Sequence, residues 1–316
     1  MFGAIRNAVA LQDCHEAMFF IADLHAITEK YETRALAGTT LSTAALYLAC
    51  GIDPTGSTLF VQSHVAAHAQ MARLLGSICG TGMLHRMVQF KEKSQKEGEE
   101  TASLSLLDYP VLMAADVLLY QAHVVPVGED QTQHLELARE LAKRFNKRYG
   151  KKAPILTVPQ PLVVTEGARL MSLTDGTKKM SKSEENDNSR INMMDDADTI
   201  RRKIKVAKTD LCRGLEFDNP ERPEVNNLLG LYQLASGKSR EEVARECANL
   251  GFGQFKPMLA DALIAMLGPI QKRYREILAD ETALRAVLKR GADKAAVTAD
   301  ETLARASEAM GFLMPG

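Results

Sequence analysis

The chain has 316 residues, 46% of them hydrophobic and 25% charged, with a formal net charge of −1 and five cysteines. That length accommodates two domains with apolar cores, and the balanced charge excludes a surface made throughout for a polyanion. There is no run of about 18 apolar residues and no signal-peptide pattern, and Cys14, Cys50, Cys79, Cys212 and Cys247 show no CxxC spacing. The expectation is therefore a cytoplasmic protein without a membrane span, its thiols reduced and mostly buried.

The first stretch, MFGAIRNAVALQ, places Phe2, Ile5 and Val9 at helical spacing, with no capping residue ahead of them. AMFFIAD (17–23) predicts a buried strand, and RALAGTTLSTAALYLACG a helix that stops at Gly51. STLFVQS (57–63) predicts a second strand and VAAHAQMARLLGSIC a second helix. Then come an apolar helix, PVLMAADVLLY (110–120), and a strand, HVVPV (123–127). In the long helix EDQTQHLELARELAKRFNKRYG, Leu135, Ala138, Leu141, Ala142, Phe145 and Tyr149 share one face.

Strand–helix alternation of this kind predicts an α/β domain with a doubly wound, parallel, Rossmann-type sheet. Ligands of such sheets sit beyond the carboxyl ends of the strands, here the loops after residues 23, 63, 127 and 173. Beyond ARLMSL (168–173), TDGTKKMSKSEENDNS reads by composition as a mobile loop, and from about residue 190 onward the pattern is helical only. The last helix, TADETLARASEAMGFL, offers a capping box at Thr298 and Glu301. The expected division is an α/β domain of nucleotide-binding type over 1–188 and an α-helical one over 189–316.

Two basic runs interrupt the balanced charge: 139–152 with seven Lys or Arg against one Glu, and 201–208 with five and no acid. Each suits either a solvated helix face or a patch for a polyanion. In TKKMSKS, Lys179 and Lys182 bracket Met180 and Ser181. Two ammonium groups on a loop suit chemistry in which negative charge moves, such as pyrophosphate leaving a nucleotide. A solvated Lys/Ser loop has the same composition. In VLMAADVLLY, Asp116 is the exception on an otherwise apolar helix. A buried carboxylate needs donors, which an indole N–H, the backbone or an internal Arg could supply.

The string Lys-Met-Ser-Lys-Ser (179–183) is the signature loop of class I aminoacyl-tRNA synthetases. The blocks ADLHAIT, LYLACGIDP, FVQSHV, MVQFKEKS, YPVLMAADVLLY, VPVGEDQTQHLELARELAKRFN, GARLMSL and TKKMSKS follow one another as in the bacterial tryptophanyl-tRNA synthetases, which the chain resembles over essentially its whole length. The resemblance implies that tryptophan is activated by ATP with Mg²⁺ and passed to tRNA(Trp), with no editing domain. It implies that Asp116 accepts the indole N–H while His25, Met113, Val117, Val125 and Val127 line the pocket, and that Gln131 holds the amino-acid end. Gly128, Glu129 and Asp130 fall near the ribose of ATP and Leu170 beside its adenine. Lys93, Lys179 and Lys182, with Met180, Ser181 and Ser183, fall at the phosphates. No residue is assigned to a metal. Leu24 stands where the family often has Gln.

The resemblance further implies a homodimer and an anticodon-binding role for the helical half. It also places a strand and a Gly-Asn-x-x-Gly element immediately before MFGAIRN, with Gly3 as that element's second glycine. The expectation is that this strand is absent, that Met1 is an internal methionine, and that the chain as written is poorly stable and adenylates little. The rivals are a tyrosyl-tRNA synthetase, a non-catalytic tRNA-binding paralogue that has shed the element, and a small-molecule nucleotidyltransferase of similar fold.

Overall fold

The computed structural model describes residues 5–28, 31–91, 103–128, 131–163, 170–181 and 184–314. In chain order its elements are α1 (Ile5–Leu11), β1 (Met18–Ile21), α2 (Asp23–Ala26), α3 (Thr33–Ala49), β2 (Thr58–Val61), α4 (Ala67–Gly76), α5 (Thr81–Leu84) and α6 (Leu104–Leu118). They continue with β3 (Val124–Val127), α7 (Thr132–Tyr149), β4 (Gln160–Val163), α8 (Ala197–Val206), α9 (Pro223–Ser236), α10 (Arg240–Cys247), α11 (Phe252–Ala279) and α12 (Glu281–Met310). The chain divides into two compact units: Ala10–Thr165 with Asp280–Gly316, and Met1–Val9 with Glu166–Ala279.

In the first unit β1 pairs with β2, Met18 opposite Thr58 through Ile21 opposite Val61, and both strands run the same way. β3 pairs with β4 in the same sense, Val124 opposite Gln160 through Val127 opposite Val163. The helices needed for parallel crossovers are present: α3 connects β1 to β2 and α7 connects β3 to β4. Among the described residues the strands form two separate pairs rather than one continuous sheet. Every residue of β2 is buried, as suits the apolar run Leu59-Phe60-Val61 that follows Thr58. Gly51 ends the α3 region at φ 110°, a conformation that costs glycine little.

The core of this unit gathers Phe60 of β2, Met71 and Leu75 of α4, Leu118 of α6, Leu141 and Phe145 of α7, and Ala292, Ala295, Ala299 and Ala306 of α12. Each of the large side chains contributes about 1.5–3 kcal/mol by leaving water. Three sequence expectations change here. α6 begins at Leu104, not residue 110, because Ser103 caps it by accepting the Leu106 amide at 3.1 Å, and Pro110 lies inside the helix. α12 runs unbroken from Glu281 to Met310, so Thr298 is interior and no capping box forms there; Asp280 caps instead, accepting the Ala283 amide at 2.9 Å. The cysteines are not mostly buried: Cys247 is, Cys50 and Cys79 are partly so, and Cys14 and Cys212 are exposed.

The second unit has its own core, in which Ile200 and Ile204 of α8, Leu228 and Leu229 of α9, Val243 and Cys247 of α10, and Phe255, Leu259 and Leu263 of α11 meet. From residue 190 onward every element in the described chain is a helix. No described helix is long and apolar enough to cross a membrane.

Candidate active site

Asp116 is 4% exposed, on a helix whose neighbouring Val111, Ala114, Ala115 and Leu118 are buried hydrocarbon. Its carboxylate receives three side chains from three other segments. Gln62, in the turn that ends β2, donates from Nε2 to Oδ1 at 2.7 Å. His68 Nδ1 of α4 meets the same oxygen at 2.6 Å, and His25 Nε2 of α2 meets Oδ2 at 2.7 Å. Burial alone would push the Asp116 carboxyl up; the hydrogen bonds from His25 and His68 and their charge outweigh it and hold the group below the usual carboxylate range. An ionised carboxylate only accepts, so the proton of each facing ring nitrogen belongs to the histidine. His68 Nε2 is thereby left to Tyr120, whose hydroxyl lies 2.7 Å away. The partners are a glutamine and two histidines rather than the backbone or the arginine that the sequence left open, and they favour the anionic carboxylate.

The supports of this cluster are themselves fixed. Gln62 is fully buried and its Oε1 accepts the Leu24 amide at 3.2 Å, so the backbone of Leu24 orients the glutamine. Asp23 accepts the Ser63 amide at 3.0 Å and the Ser63 hydroxyl, tying α2 to the end of β2. Phe20, Phe60 and Tyr120 surround the His68 ring at centroid distances of 5.7, 6.1 and 5.5 Å.

A cleft of about 500 Å³ opens over Asp116. His25, Met113, Asp116 and Gln131 line it together, and Phe20, Ala22, Ala26, Thr28 and Tyr109 complete the wall. Val117, Val125 and Val127 are not among its lining residues. Val127 is buried in the core at 6% exposure, Val125 packs against that core, and Val117 is half-buried on α6. The alternation of β3 turns these two valines inward while Val124 and Pro126 face out. Tyr109 is anchored by Gln89 and His134, each 2.7 Å from its hydroxyl, and burial pushes that phenol up to about 12.

Sequence reasoning missed Gln62, His68, Tyr120, Phe20 and Tyr109 as site residues. Gln62 fell within the expected strand 57–63, just short of the loop where a ligand edge was expected; the strand ends at Val61. His68 and Tyr120 carried no local signal, since a lone polar residue on an apolar helix face becomes informative only when its partner is known.

Of the other expected site residues, Lys93, Glu129, Asp130, Lys182 and Ser183 lie outside the described residues, as does Gly3. Gly128 follows β3 and its carbonyl accepts the Gln131 amide at 3.0 Å. Gln133 donates and accepts toward 86–88, its Oε1 taking the Val88 amide at 3.0 Å, and α7 has no side-chain cap.

The lysine loop belongs to the second unit and is a short antiparallel turn. Met171 bridges Lys179, the Ser172 amide donates to the Lys178 carbonyl at 2.8 Å, and the Met180 amide donates to the Leu170 carbonyl at 2.9 Å. Alternation along it sends Leu170 and Met180 against the helical core and leaves Lys178 and Lys179 exposed; Ser181 is half-buried. Asn227 of α9 clamps one strand, accepting the Met171 amide at 2.9 Å and donating to its carbonyl at 2.8 Å. At the tip, Asp175 accepts the Thr177 hydroxyl and amide, which hold its carboxyl low. Gly176 lies so close to α9 that a Cβ there would stand 2.7 Å from the Glu224 nitrogen. Glu224 is partly buried, which raises its carboxyl, but Lys208 at 2.7 Å and the Gly176 amide bring it below the ordinary value.

The basic run 201–208 is not a free cationic face. Lys203 is fully buried between Asp187 at 2.6 Å and Asp195 at 2.7 Å, Arg201 meets Asp261 at 3.4 Å, and Arg202 donates to Asn188 at 2.6 Å. In the run 139–152, by contrast, Lys143, Lys147, Lys151 and Lys152 are exposed. Among the described residues no group of three or more His, Cys, Asp or Glu side chains could hold a metal ion.

The family model for class I tRNA synthetases of the W and Y type matches residues 1–268. The chain is 57% identical over 314 residues to a tryptophan--tRNA ligase of Thermosynechococcus vestitus, covering 99% of this chain and 95% of that one. It superposes on the tryptophanyl-tRNA synthetase of Mycoplasma pneumoniae with a TM-score of 0.85 at 33% identity, covering 99% of this chain and 93% of the other. The Campylobacter jejuni enzyme, solved with ADP and tryptophan, matches with a TM-score of 0.83 at 30% identity, covering 98% and 94%.

Proposed function

The chain belongs to the class I tRNA synthetases for tryptophan and tyrosine, and from that premise we propose that Asp116 selects its amino acid by accepting an indole N–H at the head of the apolar cleft. The chain is a tryptophan--tRNA ligase: it activates tryptophan with ATP and transfers it to tRNA. The observation that carries the pocket assignment is the occupancy of the Asp116 carboxylate. Two lone pairs on Oδ1 are taken by Gln62 and His68 and one on Oδ2 by His25. One acceptor position remains on Oδ2, in a cleft that Met113 and Tyr109 also line.

A single acceptor in a hydrocarbon wall fits one N–H on a bicyclic apolar ring. With a ligand that lacks the donor the acceptor stays buried and unpaired, so such ligands are strongly disfavoured. Gln131 faces the same cleft and would hold the ammonium or carboxylate of the amino acid. The carboxylate attacks the α-phosphate of ATP in line and pyrophosphate departs. Gly128, Glu129, Asp130 and Leu170 would hold the nucleoside. Lys93, Lys179 and Lys182, with Met180, Ser181 and Ser183, would take the phosphates, whose charge grows on the leaving group. Mg²⁺ enters with the nucleotide as its counter-ion. Val117, Val125 and Val127 are assigned to the packing behind the pocket.

The further assignments are a catalytic role within 1–188, anticodon binding within 189–316, of which 280–316 belongs to the first unit and not to the second, a homodimer and a cytoplasmic location. The exposed lysines of the run 139–152 offer the chain's less compensated positive face for tRNA. Nothing observed favours a non-catalytic paralogue.

The test is ATP–pyrophosphate exchange with tryptophan and with tyrosine, in the parent and in Asp116→Ala. The parent is expected to use tryptophan, and the variant to lose that exchange while retaining ATP binding. Undiminished exchange in Asp116→Ala refutes the assignment.

A further inference from the structure

We propose that His68 is a positioning residue for amino-acid selection: it fixes which lone pair of Asp116 is offered to the ligand. The inference rests on the indole reading of Asp116 and adds to it a cause for its geometry. His68 is fully buried on α4 and lies outside the cleft lining, so it does not touch the ligand. It is held from both ends, by Asp116 Oδ1 at 2.6 Å and by the Tyr120 hydroxyl at 2.7 Å, and its ring is boxed by Phe20, Phe60 and Tyr120.

The consequence follows from counting acceptor positions. A carboxylate torsion is broad and roughly two-fold, so an aspartate held by a single donor presents either oxygen. Gln62 and His68 together saturate Oδ1. The ring of His25 occupies one position on Oδ2 and also forms part of the cleft wall, so the remaining acceptor is confined to the oxygen that His25 shares with the ligand. Without His68, Gln62 and His25 still hold one position on each oxygen, but Oδ1 regains a vacant lone pair that competes with the one on Oδ2, and the single directed acceptor is lost. The Tyr120 hydroxyl, 2.7 Å from His68 Nε2, holds the far side of the imidazole and so fixes the direction in which Nδ1 meets Asp116.

The experiment is titration calorimetry on the full chain with tryptophan and with benzothienylalanine, whose sulfur replaces the indole N–H. The parent is expected to prefer tryptophan by on the order of tenfold or more, the scale of one hydrogen bond to a charged group. His68→Leu should bring the two ligands to within about threefold by weakening tryptophan alone. His68→Asn keeps a donor where Nδ1 was and should restore most of the preference. A His68→Leu chain that weakens both ligands equally, or keeps the parental ratio, overturns the proposal, because a merely structural role would do one or the other. Failure of His68→Asn to exceed His68→Leu overturns it too. If His68→Leu does not fold, Tyr120→Phe decides: it should lower the ratio, and an unchanged ratio counts against the relay. The two levels separate cleanly. A parent that does not discriminate the ligands refutes the indole reading and this proposal with it. A parent whose preference is lost in Asp116→Ala but kept in His68→Leu refutes this proposal alone.

Discussion

The Asp116 cluster and the lysine loop solve opposite electrostatic problems. At Asp116 one anion is sunk in hydrocarbon and held by side chains from α2, the end of β2 and α4, with a further hydroxyl behind His68. In the lysine loop the cations stand in solvent and the restraint is applied to the backbone, through the Met171–Lys179 bridge, the Asn227 clamp and the tight seat of Gly176. The first arrangement gives direction, since a buried acceptor with one open position accepts from one place only. The second keeps the ammonium groups of Lys178 and Lys179 hydrated, as the proposed role of taking up charge on a leaving phosphate requires. A selecting group gains from losing its freedom; a charge-compensating group gains from keeping its hydration until it is used.

The contrast can be broken most severely at the backbone of the loop. Gly176→Val puts a branched side chain where a Cβ already meets the Glu224 nitrogen and the Pro223 carbonyl carbon, at 2.7 and 2.8 Å. The expected loss is about 3 kcal/mol of stability, the upper part of the range for overpacking. It should show as a lower denaturation midpoint with tryptophan binding at the Asp116 cleft unaltered. If tryptophan affinity falls in proportion, the loop and the cleft are not the separate devices described here.

A smaller effect sharpens the other side. The Asp116 carboxyl is held below its ordinary value of 3.8 in the folded chain. Its contribution to stability is therefore fully present above that value and is lost as pH falls through the lower folded pKa. Asp116→Asn removes the titrating group and turns an acceptor into a partial donor facing two histidines. The parent is expected to be the more stable at neutral pH, and the gap should narrow from about pH 5 downward. Chemical denaturation of both chains across that range checks the sign. A gap that widens toward acid would mean that Asp116 is not held as an anion.

Much of this was legible before the structure. The strands 18–21 and 58–61, the helix over 132–149 and the helical second half follow from apolar periodicity, because each presents an uninterrupted stripe. Gln160–Val163 was not legible: Pro159 and Pro161 erase the strand signal, and only the pairing with β3 reveals it. The start of α6 was obscured because Pro110 imitates a first helical residue while Ser103 does the capping. Asp116 stood out because a lone carboxylate in hydrocarbon demands partners. Which partners answered was not readable, since His25, Gln62 and His68 lie 91, 54 and 48 residues away in the chain. The run 201–208 misled for the same reason: Asp187, Asp195 and Asp261, which neutralise Lys203 and Arg201, are set beside them by folding.

One claim supports all the rest: the vacant acceptor on Asp116 meets the nitrogen of the ligand's ring. The proton resonance of indole-¹⁵N-labelled tryptophan reports that contact directly. On binding to the parent chain it should move downfield, as for a donor to a carboxylate, and the displacement should vanish in Asp116→Ala at saturating ligand. An indole proton that resonates as in free tryptophan when bound, or that shifts equally in both chains, would contradict the account.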